Sequence, residues 1–172
     1  MTVGRKITQN KQTWNTPKKY ADLIHLFFEN NLDLDPCSNG DSIIDARKKI
    51  ILPQDGLKID WNFSTIYINP PYGRDYERKT TIKHWIEKAY ASNSMFDSEI
   101  LMLIPVSTNT SHWKNFIFGK AKICFLKETR LVFRINGLEE NKGSPMACAM
   151  IYYGSNFNKF KNAFMSFGYC VE

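Results

Sequence analysis

Apolar residues recur along the chain in two spacings, and the places where one spacing replaces the other predict the secondary structure. Helical spacing marks a first amphipathic segment, with apolar residues at Tyr20, Leu23, Ile24, Phe27 and Phe28. Thr16 and Pro17 stand just before it, a hydroxyl suited to the cap and a proline suited to the first turn. Further helices are predicted at 82–92, 113–118 and 156–167. Short apolar runs predict strands at 32–35, 50–52, 65–68, 99–104, 120–126, 130–135 and 146–153.

The order of these elements predicts an α/β fold. Strands and helices alternate through the middle of the chain, which favours a mostly parallel sheet, and the strand-rich last third suggests an antiparallel edge. Residues 14–172 are interpreted as one domain that follows a flexible, basic arm at 1–13. A turn is predicted at 35–40, where Asp, Pro, Asn and Gly cluster. Ligand sites of such sheets lie at the carboxyl ends of the strands, and Asp35, Asp55 and Asn69 all fall at or just after predicted strand ends.

Amino-acid composition and net charge limit the partners, metal sites and membrane contacts that we expect of this protein. The 172 residues carry 23 Lys and Arg against 17 Asp and Glu, a net charge of +6, and 14% of them are aromatic. This balance is compatible with a polyanionic partner, although a basic surface can also serve solubility alone. The four cysteines lie far apart and have no histidine at zinc-ligand spacing, so we expect no metal site. No apolar run approaches the roughly 20 residues of a membrane span, and we expect a cytoplasmic protein without membrane contact.

The segment from Ile66 to Gly73 carries the most specific chemistry. An apolar strand ends at Asn69, and Pro70 and Pro71 stop it because proline has no N–H to give a ladder. The amide oxygen of Asn69 and the carbonyl of Pro70 are two acceptors that can converge on one planar amino group. Tyr72 then offers a face for a heteroaromatic ring. A simpler interpretation is that the prolines only terminate a strand.

This motif resembles the catalytic motif of amino-methyltransferases that use S-adenosylmethionine. Other landmarks occur in matching order, namely Trp14-Asn15-Thr16-Pro17, Leu34-Asp35-Pro36-Cys37, Asp55-Gly56-Leu57 followed by Trp61, and Trp85. Together they are similar to the compact phage-type, or Dam-like, DNA N6-adenine methyltransferases, over residues 14–153. The resemblance implies a Rossmann-like sheet, a phage or prophage product acting in a bacterial cytoplasm, and a monomer or weak dimer.

The resemblance also implies roles for individual residues. Asn69, Pro70, Pro71 and Tyr72 would form the catalytic turn that holds the flipped base. The cofactor S-adenosylmethionine would be bound by Thr16, Pro17, Asp35, Pro36, Cys37, Ser38, Asp55 and Asn69. The loop after Asp35 is poorer in glycine than is usual, with Gly40 alone, and no ribose-binding carboxylate is evident. Asp45 is a candidate for that role by elimination.

A double-stranded DNA substrate requires cationic contacts and base flipping. The charged loop at 73–81 follows the catalytic turn and supplies Arg74, Arg78 and Lys79, while Arg130 lies in a second basic region with Lys127 and Arg134. Since the chain has no room for a separate recognition domain, any sequence specificity would come from loops such as 73–81 and 136–144. Each cation can also be an ordinary solvated residue.

Two other classes of function remain open from the sequence. The same motif serves methylation of cytosine N4, of adenine in RNA, or of a glutamine amide in protein, because the acceptor geometry is alike. A nucleic-acid binding module that keeps the fold without catalysis is the other alternative, and the thin cofactor loop favours it. The intact Asn69 to Tyr72 motif argues against it, since a binding module needs no aimed amide.

Overall fold

The fold is built on a mixed sheet of seven strands. A computed structural model describes residues 14–128, 130–135, 138, 139, 144 and 146–172. The strands of the sheet are β1 (Leu34–Ser38), β2 (Lys48–Ile51), β3 (Thr65–Ile68), β4 (Glu99–Pro105), β5 (Lys122–Leu126), β8 (Cys148–Tyr153) and β9 (Gly168–Val171). A separate two-stranded ribbon pairs β6 (Arg134–Ile135) with β7 (Leu138–Glu139).

The strand order is β2-β1-β3-β4-β8-β5-β9. The first four strands in this order are parallel to one another, whereas β8 runs antiparallel to β4 and β5, and β9 runs antiparallel to β5. The prediction of an α/β fold with a parallel first part and an antiparallel edge is therefore confirmed. Parallel strands place the carboxyl ends of β1 and β3 side by side, which is where the predicted site residues fall.

Helices cover both faces of the sheet because successive strand residues point to opposite sides. Helices α1 (Lys18–Phe27) and α3 (Phe157–Phe164) pack on one face, against a cluster that includes Tyr67, Leu101, Leu103, Met150 and Tyr152. Helix α2 (Ile82–Phe96) and a π-helical turn at Trp113–Ile117 pack on the other, against a cluster that includes Ile66, Ile68, Ile100, Met102 and Ile104. The strands are therefore buried on both sides and read as apolar runs.

The turn predicted at 35–40 was wrong in its first half, because β1 continues through Ser38. Asp35 pairs with Lys49 and Ser38 with Ile51, so β1 carries one extra residue between these pairs, which is a bulge. Pro36 is tolerated there because a bulge needs no ladder bond from it. On its other side β1 pairs with β3 at Leu34 alone. The two strands therefore separate beyond Leu34 and leave a gap at their carboxyl ends.

The start of α1 also differs from the prediction. Pro17 itself occupies the cap position and no side chain caps the helix. The Thr16 hydroxyl instead forms a hydrogen bond with the hydroxyl of Tyr67, at 2.7 Å, in a buried position. This bond ties the segment before α1 to the middle of β3, so Thr16 is held over the sheet rather than at the helix end.

The bounds of other elements also differ from the prediction. The second helix extends to Phe96 rather than ending at 92, and the strand predicted at 130–135 is reduced to its last two residues. The last helix ends at Phe164 rather than at 167. Strand β9, which the sequence did not predict, follows it and packs closely on β5, since a Cβ at Gly168 would lie 2.2 Å from the Phe125 carbonyl oxygen.

Two sequence predictions fall wholly or mostly outside the described residues. These are the basic arm at 1–13 and most of the loop at 136–144. Across the described ranges, the helices are too short or too polar to cross a bilayer.

Candidate active site

Two adjoining clefts open where β1 and β3 separate. The first, of about 480 Å³, is bounded by residues 14–16, by Asp35 and by the turn at 69–72. The second, of about 870 Å³, is bounded by residues 36–39, by residues 50–52 and by Asp55. Cys37, Asn39 and Pro71 line both, so the two clefts adjoin one another.

Asn69 follows the last residue of β3 and lines the first cleft. Its Nδ2 donates a hydrogen bond to the Trp14 carbonyl oxygen at 2.8 Å. Because this bond uses the nitrogen, the amide oxygen Oδ1 is left to accept from a group in the cleft. The amide thus has a defined orientation, set by a residue on the segment before α1.

The aromatic residue of the motif is fixed at both ends. The Tyr72 hydroxyl donates to the Leu103 carbonyl oxygen at 3.0 Å, and burial raises the pKa of Tyr72 well above its usual value, so the hydroxyl stays protonated. The Tyr72 ring meets Phe133 edge-on at 5.8 Å, and Phe133 stacks on Trp14 at 5.1 Å. These three rings join the turn at 69–72 to the segment before α1. Phe133 gave no sequence signal beyond an apolar position.

Asp35 is a buried carboxyl in the first cleft, with 4% of its surface exposed. Burial raises its pKa to about 6, and this effect outweighs the opposing hydrogen bond from the Cys37 backbone N–H and the attraction of Lys49. The Cys37 N–H donates to Asp35 Oδ1 at 3.2 Å. A buried carboxyl with a raised pKa gains most from a cationic partner, because such a partner offsets the cost of its burial.

Asn15 presents a donor that the sequence reasoning did not assign. The Asp41 N–H donates to Asn39 Oδ1 at 2.9 Å, so the Asn39 amide is oriented, and its Nδ2 donates to Asn15 Oδ1 at 2.7 Å. The remaining atom, Asn15 Nδ2, is buried without a hydrogen-bond partner among the described residues. Asn15 is 5% exposed and lines the first cleft. Buried donors are nearly always bonded, so this atom indicates a ligand group.

A short 3-10 turn, Gly56–Lys58, begins at the edge of the second cleft, opposite β1. Asp55 precedes this turn and its Oδ1 accepts from the Leu57 N–H at 3.0 Å. Gly56 lies directly against β1, because a Cβ there would come within 1.8 Å of the Pro36 carbonyl oxygen. Lys88 on α2 donates to the Leu57 carbonyl at 2.8 Å, which braces the turn from the other side.

The remaining predicted cofactor residues are divided between the clefts. Thr16 lines the first, Pro36 and Ser38 line the second, and Pro17 lines neither. Asp45, the candidate offered by elimination, is exposed, precedes β2 and does not line either cleft. No side-chain carboxyl follows the end of β2 until Asp55, and Asp55 is therefore the acid that the second cleft presents on this side.

The predicted DNA contacts differ in their surroundings. Arg74, Lys79 and Arg130 are exposed. Arg78 is turned inward, with its Nη1 at 2.6 Å from Asp75 Oδ2, and it lines the second cleft. The loop that carries Arg74 and Lys79 follows Tyr72, and the segment that carries Arg130 leads to Phe133, which contacts Tyr72. Both segments thus flank the turn at 69–72, and the roles of these cations stay predictions.

Comparison with known proteins relates this chain to one described family. A family model described as DNA N-6-adenine-methyltransferase (Dam) matches residues 5–171. A search of curated proteins finds no match to this chain. The matched range contains every residue of both clefts and of the flanking loop.

Proposed function

The chain belongs to the DNA N-6-adenine-methyltransferase (Dam) family, and from this premise we propose that it transfers a methyl group from S-adenosylmethionine to adenine N6 at a short site in double-stranded DNA. Adenine N6 methylation of DNA is the activity of this family. The observation that carries the finer proposal is the orientation of Asn69. Its amide nitrogen is bound to the Trp14 carbonyl, and its oxygen is left as an acceptor in a cleft.

The catalytic turn binds and orients the target amino group. Asn69 Oδ1 and the Pro70 carbonyl accept the two N6 hydrogens, which aims the nitrogen lone pair away from both acceptors. Two prolines restrict the backbone of the turn, and positioning of this kind supplies much of the rate enhancement when no strong base takes part. Tyr72 packs on one face of the adenine. Because N6 lies inside the base stack of a duplex, the adenine must first rotate out.

The two clefts fit the proposed cofactor by the chemistry of their donors and acceptors. The first offers the Asp35 carboxyl and the unpartnered Asn15 Nδ2, which suit the ammonium and carboxylate groups of a methionine moiety. The second is walled by Ile50, Ile51 and Leu52 with Asp55 at its side, which suits an adenosine moiety. A Rossmann-like sheet binds its ligand at this edge. When bound, S-adenosylmethionine supplies an electrophilic methyl group on a positively charged sulfur.

The proposed function is tested by methyl transfer. The protein is incubated with S-adenosylmethionine carrying a labelled methyl group and, separately, with duplex DNA, RNA and protein, and the products are digested to nucleosides or amino acids. Label in N6-methyldeoxyadenosine supports the proposal. Label in N4-methyldeoxycytidine, in RNA or in glutamine would replace it with the corresponding alternative. Thermal stabilisation by the cofactor without any transfer would indicate a binding module.

Cofactor affinity is expected to fall as the pH drops through about 6, where Asp35 takes up a proton. The raised pKa means that the folded cofactor-free protein holds this proton more tightly than the unfolded chain. The stabilisation from protonation is complete below the unfolded pKa, near 3.8, and is lost as the pH rises through about 6. A cationic ligand group prefers the ionised carboxylate, so the dissociation constant should rise by up to about tenfold per pH unit below 6. Calorimetric titration between pH 5 and 7.5 measures this slope.

The Asp35→Asn variant should bind more weakly at pH 7.5 and lose the slope, because its side chain does not titrate. Asp45→Asn is the matched control, since Asp45 is exposed and lies outside both clefts. An unchanged slope in Asp35→Asn would contradict the assignment of the ammonium group to Asp35.

Asn15→Ala is expected to weaken cofactor binding by about tenfold or more, the usual effect of removing a hydrogen bond to a charged group. Stability without the cofactor should fall by only about 1 kcal/mol, because the variant loses the one hydrogen bond that Asn15 Oδ1 accepts from Asn39 Nδ2, whereas Nδ2 has no partner among the described residues. Isothermal titration and urea unfolding measure the two quantities. Asn31→Ala serves as control, as Asn31 is an exposed asparagine before β1. Equal affinities for Asn15→Ala and the wild type would remove Asn15 from the site.

A further inference from the structure

Tyr76 exposes 81% of its surface, more than the other large apolar side chains of the described residues that reach the solvent. It lies on the loop at 74–80, which begins two residues after Tyr72. Single exposed apolar residues are common on protein surfaces, so the place of this ring in the chain, rather than its exposure alone, points to a contact.

The loop that carries Tyr76 is held in shape at its base. Asp75 and Thr80 exchange two backbone hydrogen bonds, of 2.9 and 3.1 Å. The Asp75 carboxylate accepts from the Arg78 N–H at 2.9 Å and from the Arg78 guanidinium at 2.6 Å. The bonds from Arg78 lower the pKa of Asp75, so this closure persists at neutral pH. Tyr76 is thus presented on a preformed turn, which lowers the entropic cost of using it in a contact.

The base of the loop lies at the second cleft. Asp75, Arg78 and Thr80 all line that cleft together with Pro71 of the catalytic turn. The loop that carries Tyr76 therefore stands beside the second cleft and next to Pro71, which belongs to the turn proposed to hold the target base. This placement depends on backbone pairing of described residues, and it does not depend on how Tyr76 itself is oriented.

The charges around the ring suit a polyanion. The Arg74 guanidinium lies 5.9 Å from the centre of the Tyr76 ring, and Lys79 is exposed on the same loop. Lys83, in the first turn of α2, is exposed as well. Arg78 is neutralised by Asp75, which leaves Glu77 as the acid of the loop without an ion pair among the described residues. An aromatic ring flanked by cations is the composition with which proteins contact phosphates and stacked bases.

We propose that Tyr76 inserts into the base stack of duplex DNA, in the space left by the rotated adenine, while Arg74 and Lys79 contact the adjacent phosphates. This proposal rests on the proposed function, since it assumes a duplex substrate. Apolar wedges that enter a base step partially unstack and kink the duplex, at a cost that the additional protein contacts repay. Tyr76 therefore acts on the opening of the duplex, and its effect should vanish when the target adenine has no pairing partner to leave.

The test compares Tyr76→Ala with the wild type on duplexes that contain the sequence methylated by the wild type. Each duplex is made in two forms, with the target adenine paired to thymine or facing an abasic site. On the paired duplex, kcat/KM of Tyr76→Ala is expected to fall by about 10- to 100-fold. With the abasic partner, the loss should shrink to within about threefold, because the base is already free to rotate.

Two further variants serve as controls. Tyr76→Phe keeps the ring and should remain within about threefold of the wild type on both duplexes. Tyr169→Ala removes an equally exposed tyrosine, 74% exposed, from β9 at the far edge of the sheet, and should behave as the wild type. Fluorescence of 2-aminopurine at the target position should rise on binding of the wild type and of Tyr76→Phe but not of Tyr76→Ala.

The outcomes separate this inference from the proposed function. Equal losses for Tyr76→Ala on the paired and abasic duplexes would show a contact without insertion and overturn the inference. Unchanged kcat/KM on the paired duplex would overturn it as well, while the proposed function would stand. Absence of methyl transfer by the wild type to every DNA would refute the proposed function, and this inference with it.

Discussion

Asn69→Ala is expected to reduce methyl transfer to DNA by about 100- to 1,000-fold, the usual effect of deleting one positioned hydrogen-bonding group from an active site. The variant loses the acceptor for the N6 amino group and, with it, the bond to the Trp14 carbonyl. Cofactor affinity should stay within several-fold of the wild type, because Asp35 and Asn15 remain. Single-turnover kinetics with labelled cofactor measures the first effect and calorimetric titration the second.

Two substitutions make this result specific. Asn93→Ala deletes another amide whose Nδ2 donates to a backbone carbonyl, that of Ser98 at 2.9 Å, at the far end of α2. It should leave methyl transfer unchanged. Asn69→Asp keeps an acceptor but loses the donor to Trp14, so activity between the two extremes is expected. Wild-type rates for Asn69→Ala would show that the amide does not hold the amino group.

Gly56→Ala is expected to destabilise the protein by about 1–3 kcal/mol, the usual cost of forcing an additional methyl group into a well-packed site. The new Cβ would lie 1.8 Å from the Pro36 carbonyl oxygen and 2.8 Å from its carbon, which are atoms of β1 and cannot rotate away. The turn after Asp55 must move, and the second cleft with it. Urea unfolding measures the change in stability, and calorimetric titration measures the expected loss of cofactor affinity.

Gly40→Ala is the matched control, because nothing lies within 4 Å of a Cβ at that position. Both variants add one methyl group to a loop glycine near β1, so a difference between them reports the contact with Pro36. Equal stability of the two variants would mean that the approach of Gly56 to β1 carries no constraint.

Local patterns predicted β3 and its end at the prolines because all the determinants of that end are neighbours in the chain. An apolar run of four residues forms β3 at the predicted bounds, and the prolines end it. The same reasoning failed at Pro36, since proline in a central strand is tolerated only where the partner strands allow a bulge. That allowance depends on β2, which begins ten residues after β1 ends.

The parts of the site that the sequence did not reveal are long-range. The Asn15 donor is identified by the absence of a partner once Asn39 has been oriented by Asp41. Phe133 enters the site by stacking on Trp14 and meeting Tyr72. In the sequence, Asn15 is an ordinary polar residue and Phe133 an ordinary apolar one. Only the contacts that the fold gives them distinguish these two residues from others of their type.

The bond between Asn69 and the Trp14 carbonyl spans 55 positions of the chain. The Asn-Pro-Pro-Tyr tetrapeptide therefore does not carry its own geometry. Grafting it onto the strand end of another scaffold would transfer the acceptor atoms without the means to aim them. The smallest unit that an enzyme engineer could transplant is discontinuous, because it consists of the strand end together with the segment at 14–16. A sequence search that scores the tetrapeptide alone will also count chains that lack the segment at 14–16.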